Sequence, residues 1–268
     1  TEHGTVFQST FWAEHVRNYF KARPVYFLER NKRGEIISGL QAFVGMPIKK
    51  FSGTPLHAPL NLLVKSLSPI MWWLEGPLAT PDEARDILDS VKSFASKNRC
   101  MVKNVTAPIK FDSDLRPEYI SLEFSESKYG TILINLESDL EELRSGVSKK
   151  GRKALRESES AGVTVRLAES PEDLRKYYQL LGSHRAGMGF PTGPLAELES
   201  QWKHLHENDC MEVFLAEKEG RLITGMGVWH FNRNLVEVGS ANSDLREDRD
   251  LFAGDTVKWA IIEWGCKK

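Results

Sequence analysis

Two stretches of the chain share one pattern of strand, turn and strand. Residues 25–39 read VYFLERNKRGEIISG and residues 213–225 read VFLAEKEGRLITG, and both end in Gly-x-[Ile/Leu]-Ile-[Ser/Thr]-Gly. Each predicted hairpin follows a predicted helix and precedes a further strand and helix. One six-residue match can arise by chance, so the interpretation depends on the matching order of elements around it. That order indicates two copies of one α/β unit.

The predicted elements indicate an α/β fold with two tandem domains. We place domain 1 at residues 1–145 and domain 2 at residues 146–268, and expect in each a mixed, mainly antiparallel sheet flanked by helices. In the first copy, the predicted helix of residues 81–98 is followed by a strand. Only Lys267 and Lys268 follow the last predicted helix. We therefore expect the second copy to lack its C-terminal strand, which would leave an unpaired sheet edge.

Several shorter segments are assigned from alternation and turn residues. We expect strands at residues 6–9, 119–124 and 131–136, where apolar and β-branched residues are frequent. The four glycines of residues 182–194 indicate a loop, which would carry His184 and Arg185.

Composition narrows the class of protein. A hydrophobic content of 41% is typical of a globular chain, and a net charge of −1 argues against a whole surface that binds DNA or membrane. Three widely spaced cysteines without a CxxC pair indicate reduced thiols, so we expect a cytoplasmic protein. The chain has no window of 18 apolar residues. A peripheral membrane contact through residues 60–73 stays an alternative to a buried strand and loop.

The most unusual charge pattern lies between Arg144 and Arg156, which hold six basic residues and no acidic one. A helix is predicted from about Ser148 to Gly162. Its 3.6-residue period puts four cations on one face: Lys149, Arg152, Lys153 and Arg156. Cations near a helix start oppose the macrodipole unless an anion lies there. The face is therefore either a solvated surface or a clamp for phosphate or carboxylate.

This basic segment resembles a known family signature. The sequence SKKGRKALRESESAGVTVRLAES, from Ser148 to Ser170, resembles the Arg-Lys-x-[Leu/Ile]-Arg-x-[Ala/Ser]-x-x-x-Gly-Val pattern of the Fem family of aminoacyltransferases. The following YYQLLGSHRAGMGFP resembles that family's next helix and Arg-containing loop. Two GNAT-like acyltransferase units in tandem, with a basic helix between them, are also the family's arrangement.

The resemblance implies transfer of an amino acid from aminoacyl-tRNA to an amine of a peptidoglycan precursor or another envelope polymer. By resemblance, Arg152, Lys153 and Arg156 would hold the precursor's diphosphate or carboxylates, for which arginine has a matching geometry. Family members that use tRNA often carry a long helical hairpin in the second domain. We expect none here, because residues 167–211 are filled by two predicted helices and a loop.

Two other functions stay open from the sequence. The first is an acyl-CoA-dependent N-acyltransferase on the same fold. Neither repeat has the [Arg/Gln]-x-x-Gly-x-[Gly/Ala] loop that binds the CoA pyrophosphate, and the acidic NSDLREDRDLFAG follows the last predicted strand. The second is a non-catalytic module that binds an anionic polymer or RNA through residues 149–156.

Acyl transfer to an amine requires a deprotonated amine and a stabilised oxyanion. Glu237 alternates with Val236 and Val238 in a predicted strand, so it is a candidate general base, and Asp244 is the second candidate. Arg185 is a candidate anion contact. For each, the alternative is an ordinary surface residue.

No metal site and no bound cofactor are expected, and aminoacyl-tRNA or acyl-CoA would be the donor substrate. His204 and His206 are two residues apart on a predicted helix and point to different sides, which does not suit a metal. Trp72 and Trp73 are interpreted as buried strand residues in preference to a stacking surface for substrate.

Overall fold

Both predicted hairpins are present in the structure, one in each of two units. The computed structural model describes residues 4–45, 69–103, 105–106, 114–127 and 130–268. The chain divides into residues 1–129 and 130–268. The observed division precedes the expected boundary at 145/146, because residues 136 and 137 contact the second unit. Glu137 pairs with Arg233 at 2.7 Å, and Leu136 lies against Gly265.

The first unit holds a four-stranded sheet in the order β1-β2-β3-β4. Strands β1, β2 and β3 are antiparallel, and β4 is parallel to β3 after a helical crossover. After a 3-10 turn at Val6–Gln8, the elements are α1 (Thr10–Tyr19), β1 (Arg23–Arg30), β2 (Ile36–Gly45), β3 (Ile70–Trp72), α2 (Pro81–Lys97), β4 (Met101–Val102) and α3 (Arg116–Ser121).

The apolar face of α2 forms the core of the first unit. The helix begins at the Thr80 N-cap with a capping box to Glu83, and Pro81 occupies the first turn. The α2 residues that pack on the sheet recur at helical spacing: Ala84, Ile87, Leu88 and Val91. They cover buried residues of β2 and of the β3 region, among them Leu40, Met71 and Trp73. Trp73 is fully buried and Trp72 nearly so, as expected from the sequence.

The second unit holds an antiparallel sheet in the order β5-β6-β7-β8. Its helices and strands are α4 (Leu140–Gly146), α5 (Lys149–Ser160), β5 (Thr164–Leu167), α6 (Pro171–Gly187), α7 (Leu195–Leu205), β6 (Met211–Lys218), β7 (Arg221–Phe231), β8 (Asn234–Asn242) and α8 (Ala253–Lys267). Short 3-10 turns occupy His206–Asn208 and Arg246–Leu251. Helix α8 packs Val257 and Ile261 against Met226 and Val228 of β7.

The register of the two hairpins supports the internal repeat. Gly39 pairs with Leu28 in the first, and Gly225 pairs with Leu215 in the second. In each hairpin the register shifts after the next residue pair. One residue of the repeat motif is therefore left without a partner on the opposite strand. That residue is an isoleucine both times, Ile37 and Ile223. A bulge at the same motif position bends both hairpins alike.

Three predicted strands are wrong. Residues 6–8 form a 3-10 turn, and residues 116–121 form α3. Residues 131–136 are described but form no strand, and Ile132 is 89% exposed. The alternation of residues 119–124 is misleading, because Tyr119 turns inward to a tertiary partner. Its hydroxyl accepts from the Trp73 indole at 3.0 Å and donates to the Gly76 carbonyl.

The expected loop at residues 182–194 is also partly wrong, because α6 continues to Gly187. His184 and Arg185 lie in the last turn of this helix and not in a loop. The helix ends where Gly189 adopts a φ of +77°, a conformation that glycine reaches without a steric cost.

In the described part of the chain, no helix combines the length and the apolar character that a bilayer crossing requires. The region suggested for membrane contact is mostly outside the described residues, since residues 60–68 are among those not described. All three cysteines are free thiols.

Removing the Tyr119 hydroxyl should destabilise the first unit. Tyr119→Phe leaves the buried Trp73 indole and Gly76 carbonyl without this partner, so we expect the free energy of unfolding to fall by about 1–3 kcal/mol. Urea unfolding followed by Trp fluorescence measures it. Tyr26→Phe, at a 49% exposed position, is the control. Equal stability of the two variants would contradict a stabilising role for the Tyr119 hydrogen bonds to Trp73 and Gly76.

The ion pair of Asp248 with Arg221 should make the second unit sensitive to acid. The two distances are 2.5 and 2.7 Å, and the Asp248 side chain is 1% exposed. The hydrogen bonds from Arg221 lower the Asp248 pKa. A lowered pKa stabilises the fold above the unfolded value of about 3.9, and this stabilisation is lost as the pH falls below it.

Asp248→Asn should therefore be less stable than the parent chain at pH 7 and lose less stability between pH 6 and pH 3. Chemical unfolding at several pH values measures both. Asp250→Asn, at a nearby exposed position, should follow the parent curve. A parent chain and an Asp248→Asn variant with parallel pH profiles would show that this pair does not set the acid response.

Candidate active site of the second unit

The basic segment folds as predicted, as helix α5. The Ser148 hydroxyl accepts from the Gly151 backbone N–H at 3.1 Å, which caps the helix start. Past the helix end, Gly162 adopts a φ of +79°. Ala154 and Ser158 are the buried residues of α5, and this helix packs on α8. The remaining faces of α5 are available for charged side chains.

Three of the four predicted clamp residues lie exposed on α5: Lys149, Lys153 and Arg156. Lys153 forms an i,i+4 pair with Glu157 at 3.3 Å, and both side chains are solvent-exposed, so the pair contributes little and opens easily. Among the described residues, no salt bridge involves Lys149 or Arg156. Two cations of this face are therefore ready for an external anion without breaking an internal ion pair.

Arg152 is held differently from its neighbours. Its Nη1 donates to the Ser145 carbonyl at 2.8 Å and to the Val147 carbonyl. Both carbonyls lie at the end of α4, where helices leave acceptors without partners. Arg152 therefore ties α5 to α4. Its other nitrogens are not used in this contact, so its expected anion-binding role stays a prediction.

The sheet of the second unit is distorted where β7 meets β8. Met226 pairs with Ser240 and the next residue, Gly227, pairs with Val238, so Gly239 is an extra residue on β8. Gly239 has a φ of +73°, and a Cβ placed there would lie 2.8 Å from the Tyr177 hydroxyl. Only glycine fits this β-bulge, and bulges of this kind are frequent next to active sites.

Tyr177 of α6 fills the space that the glycines leave. A Cβ on Gly225 would lie 2.6 Å from its ring. Its hydroxyl donates to the Gly239 carbonyl at 2.5 Å. Burial raises the pKa of Tyr177 to about 12, opposed by a backbone hydrogen bond from Gly227. The hydroxyl is therefore neutral at physiological pH and fixes the bulge as a hydrogen-bond donor.

The predicted polar residues gather around this bulge. The charge of Arg185 lowers the Tyr177 pKa and that of Glu237 raises it, so both charges act on its hydroxyl. The Asp244 carboxylate lies beside Gly187, where a Cβ would be 3.6 Å from Oδ2. Among the described residues, no ion pair joins Arg185 to either acid.

The two candidate bases differ in position, since Glu237 lies within β8 and Asp244 follows it. Glu237 pairs with Val228, which belongs to the core under α8. Val238 and the Tyr177 hydroxyl lie on the other face, each 3.4 Å from a Cβ built on Gly227. Because Asp244 lies beside α6, it is on the same side as Tyr177 and Arg185. Asp244 is therefore better placed than Glu237 to act with them.

Tyr177 is a residue of this region that the sequence did not predict. The available signal was the Gly225-x-Gly227 pair inside a strand, since glycine in a strand often marks close approach by another group. The sequence alone did not identify that group.

The segment after β8 is acidic in the structure as well. Glu247 is exposed at the 3-10 turn that leads into α8, and Asp248 is bound to Arg221. Helix N-termini commonly bind phosphate. The acids in front of α8 would repel a diphosphate there.

No family model matches the sequence, and no curated protein matches it. Solved structures do resemble the fold. A crystal structure of FemX aligns with a TM-score of 0.74 at 14% identity, covering 99% of this chain and 81% of FemX. L-PGS from Bacillus licheniformis aligns with a TM-score of 0.53 at 14% identity, covering 95% of this chain and 68% of L-PGS. The chain thus has a mixed α/β, two-domain fold of the FemX type.

Proposed function

We propose that this protein is an aminoacyltransferase that moves an aminoacyl group from aminoacyl-tRNA to an amine of an anionic cell-envelope precursor. The observation that carries the proposal is the fold likeness to FemX along 99% of the chain. L-PGS, a lysylphosphatidylglycerol synthetase, supports the same reaction class, since its name also denotes an aminoacyl product.

The exposed face of α5 supports an anionic acceptor. Lys149, Lys153 and Arg156 present positive charge on a chain whose net charge is −1. Phosphate and carboxylate groups form charge-assisted hydrogen bonds with such side chains. In the proposal, this face holds the acceptor while its amine reacts elsewhere.

The reaction needs one bond to form and one to break. The acceptor amine attacks the ester carbonyl of the aminoacyl-tRNA, a C–N bond forms, and the C–O bond to the tRNA ribose breaks. In the proposal, the amine loses a proton to Asp244, beside α6, and the ribose hydroxyl gains one. Tyr177 holds the bulge of β8 in place, so it acts as a positioning residue.

Donor choice tests this function directly. The purified full chain is incubated with a diphosphate-linked peptidoglycan precursor peptide and either labelled aminoacyl-tRNA or labelled acetyl-CoA. We expect label to move to the peptide from aminoacyl-tRNA only, because the acids before α8 oppose the CoA diphosphate. Transfer from acetyl-CoA alone would support the acyl-CoA enzyme instead. Transfer from neither donor would contradict an aminoacyltransferase.

Arg156→Ala tests the acceptor site. Loss of one charge-assisted contact should raise the KM for the precursor about tenfold or more, with little change in kcat, because the contact is made equally in the ground and transition states. Steady-state kinetics at low salt measure both constants. Raising the salt concentration should raise the parent KM as well, since exposed charges are screened.

Two further variants separate binding from folding. Arg17→Ala removes an exposed arginine of α1 that pairs only at the surface and should leave KM unchanged. Arg152→Ala breaks the contacts to Ser145 and Val147, so we expect it to lower the melting temperature. An Arg156→Ala variant with the parent KM would exclude this face of α5 as the acceptor site.

A further inference from the structure

A group of histidine and carboxylate side chains lies where β6 begins and β7 ends. Helix α7 stops at Leu205, and Asp209 adopts a left-handed φ of 54° before the strand starts. The backbone N–H of His230 donates to the Cys210 carbonyl at 3.0 Å, which brings the end of β7 beside this turn. Asp209, Glu212 and His230 are thereby placed together, and we refer to these three as the triad.

The side chains of the triad converge on one point. One potential ligand atom from each lies within 4.8 Å of the other two. The His230 Nε2 is 3.9 Å from Asp209 Oδ1. In a tetrahedral site with metal–ligand bonds of about 2.1 Å, neighbouring ligand atoms are roughly 3.4 Å apart. Small side-chain rotations therefore suffice to bring the three atoms to bonding distance from one ion.

His230 gives an independent sign of a ligand. Its side chain is 9% exposed, and its Nε2 is buried without a hydrogen-bond partner. A buried polar atom of this kind usually has a partner in the native state. The unpaired nitrogen faces the Asp209 carboxylate, so a cation between them would satisfy both.

Two members of the triad are largely removed from solvent. The His230 side chain is 9% exposed and the Glu212 side chain is 12% exposed. A carboxylate in such a position is poorly solvated, and a positive ion beside it would offset that cost.

His206 stands beside the triad and orients one of its members. Its Nδ1 lies 3.0 Å from the Met211 carbonyl and 3.4 Å from Glu212 Oε2. The Trp202 ring stacks on its imidazole at 3.6 Å. This packing fixes His206, which in turn limits the rotation of the Glu212 carboxylate, as groups around metal ligands commonly do.

A lysine ammonium already neutralises one member of the triad. Lys268 Nζ lies 2.8 and 2.9 Å from the two Asp209 carboxylate oxygens, and 5.4 Å from the Trp264 ring. Its side chain is 45% exposed, so it can leave at small cost. A metal ion at the triad would compete with this ammonium for Asp209.

We propose that Asp209, Glu212 and His230 bind one divalent transition-metal ion of the Zn²⁺ type, with Lys268 as a competing cation. One nitrogen and two carboxylate ligands suit Zn²⁺ and its neighbours in the first transition row. Three protein ligands leave a coordination position for water. Bound there, the ion joins the turn after α7 to the end of β7.

The sequence did not reveal this group. His204 and His206 are neighbours along the chain, whereas the triad spans residues 209–230 and requires the β6–β7 pairing. The proposal is independent of the aminoacyltransferase function.

Metal titration of the full chain tests the site. After chelator treatment and dialysis, Zn²⁺ binding is measured by isothermal titration calorimetry, and Co²⁺ binding by visible absorption. We expect one equivalent to bind, and Trp fluorescence to change because Trp264 packs on His230 at 4.9 Å. Asp209→Asn, at an exposed turn position, should weaken binding about 100-fold or more, as should His230→Gln.

Two control variants make the result specific. His204→Gln removes a histidine outside the triad and should bind Zn²⁺ like the parent chain. Lys268→Met removes the competing cation and should bind more tightly. Melting curves without metal show whether His230→Gln is folded. If it is not, the Asp209→Asn variant alone tests the ligands. A parent chain that binds no Zn²⁺, or Asp209→Asn that binds it equally well, would overturn the proposal.

Discussion

The second unit depends on the close approach of Tyr177, through its ring and its hydroxyl, to three glycines of the sheet. Gly225, Gly227 and Gly239 have no side chains, so α6 approaches β7 and β8 closely enough for the Tyr177 hydroxyl to reach the bulge. A Cβ on Gly225 would clash with the Tyr177 ring, one on Gly239 with its hydroxyl, and one on Gly227 with the Val238 carbonyl. This single close approach sets the height of α6 above the sheet. It also sets the position of Arg185, which lies about two turns further along the same helix.

The bulge and the helix end together create a polar region on an otherwise apolar framework. The Tyr177 hydroxyl is neutral and donates to the Gly239 carbonyl, so it holds the bulge in place. Asp244 lies against the end of α6, where the helix macrodipole is unfavourable for an anion. Asp244 therefore lies on the Tyr177 side of the sheet, whereas Glu237 pairs with Val228 on the α8 side.

The cations of the basic helix differ in what their side chains contact. Arg152 is turned towards the carbonyls of α4 and holds two helices together, whereas Arg156 faces solvent. Both arginines match the family-like signature, and the signature alone does not separate them. The difference arises because Arg152 is one turn after the N-cap and reaches back to the preceding helix end.

Local signals were sufficient for much of the fold. The Ser148 cap and Gly162 defined α5, and the repeat motif placed both hairpins in register. Tertiary contacts decided the rest. The strand-like alternation around Tyr119 was overridden by its bonds to Trp73 and Gly76, and α6 continued through Gly182 because its other residues pack on the sheet. Tyr177 and the triad were invisible to spacing arguments, since their partners come from different strands.

The central claim is that an amine on an anionic precursor receives the aminoacyl group. The most direct test is mass spectrometry of the precursor peptide after incubation with aminoacyl-tRNA, beside a matched peptide whose amine is acetylated. The claim predicts that the free amine gains the mass of one aminoacyl residue and that the acetylated peptide is unchanged. Equal modification of both peptides, or of neither, would contradict it.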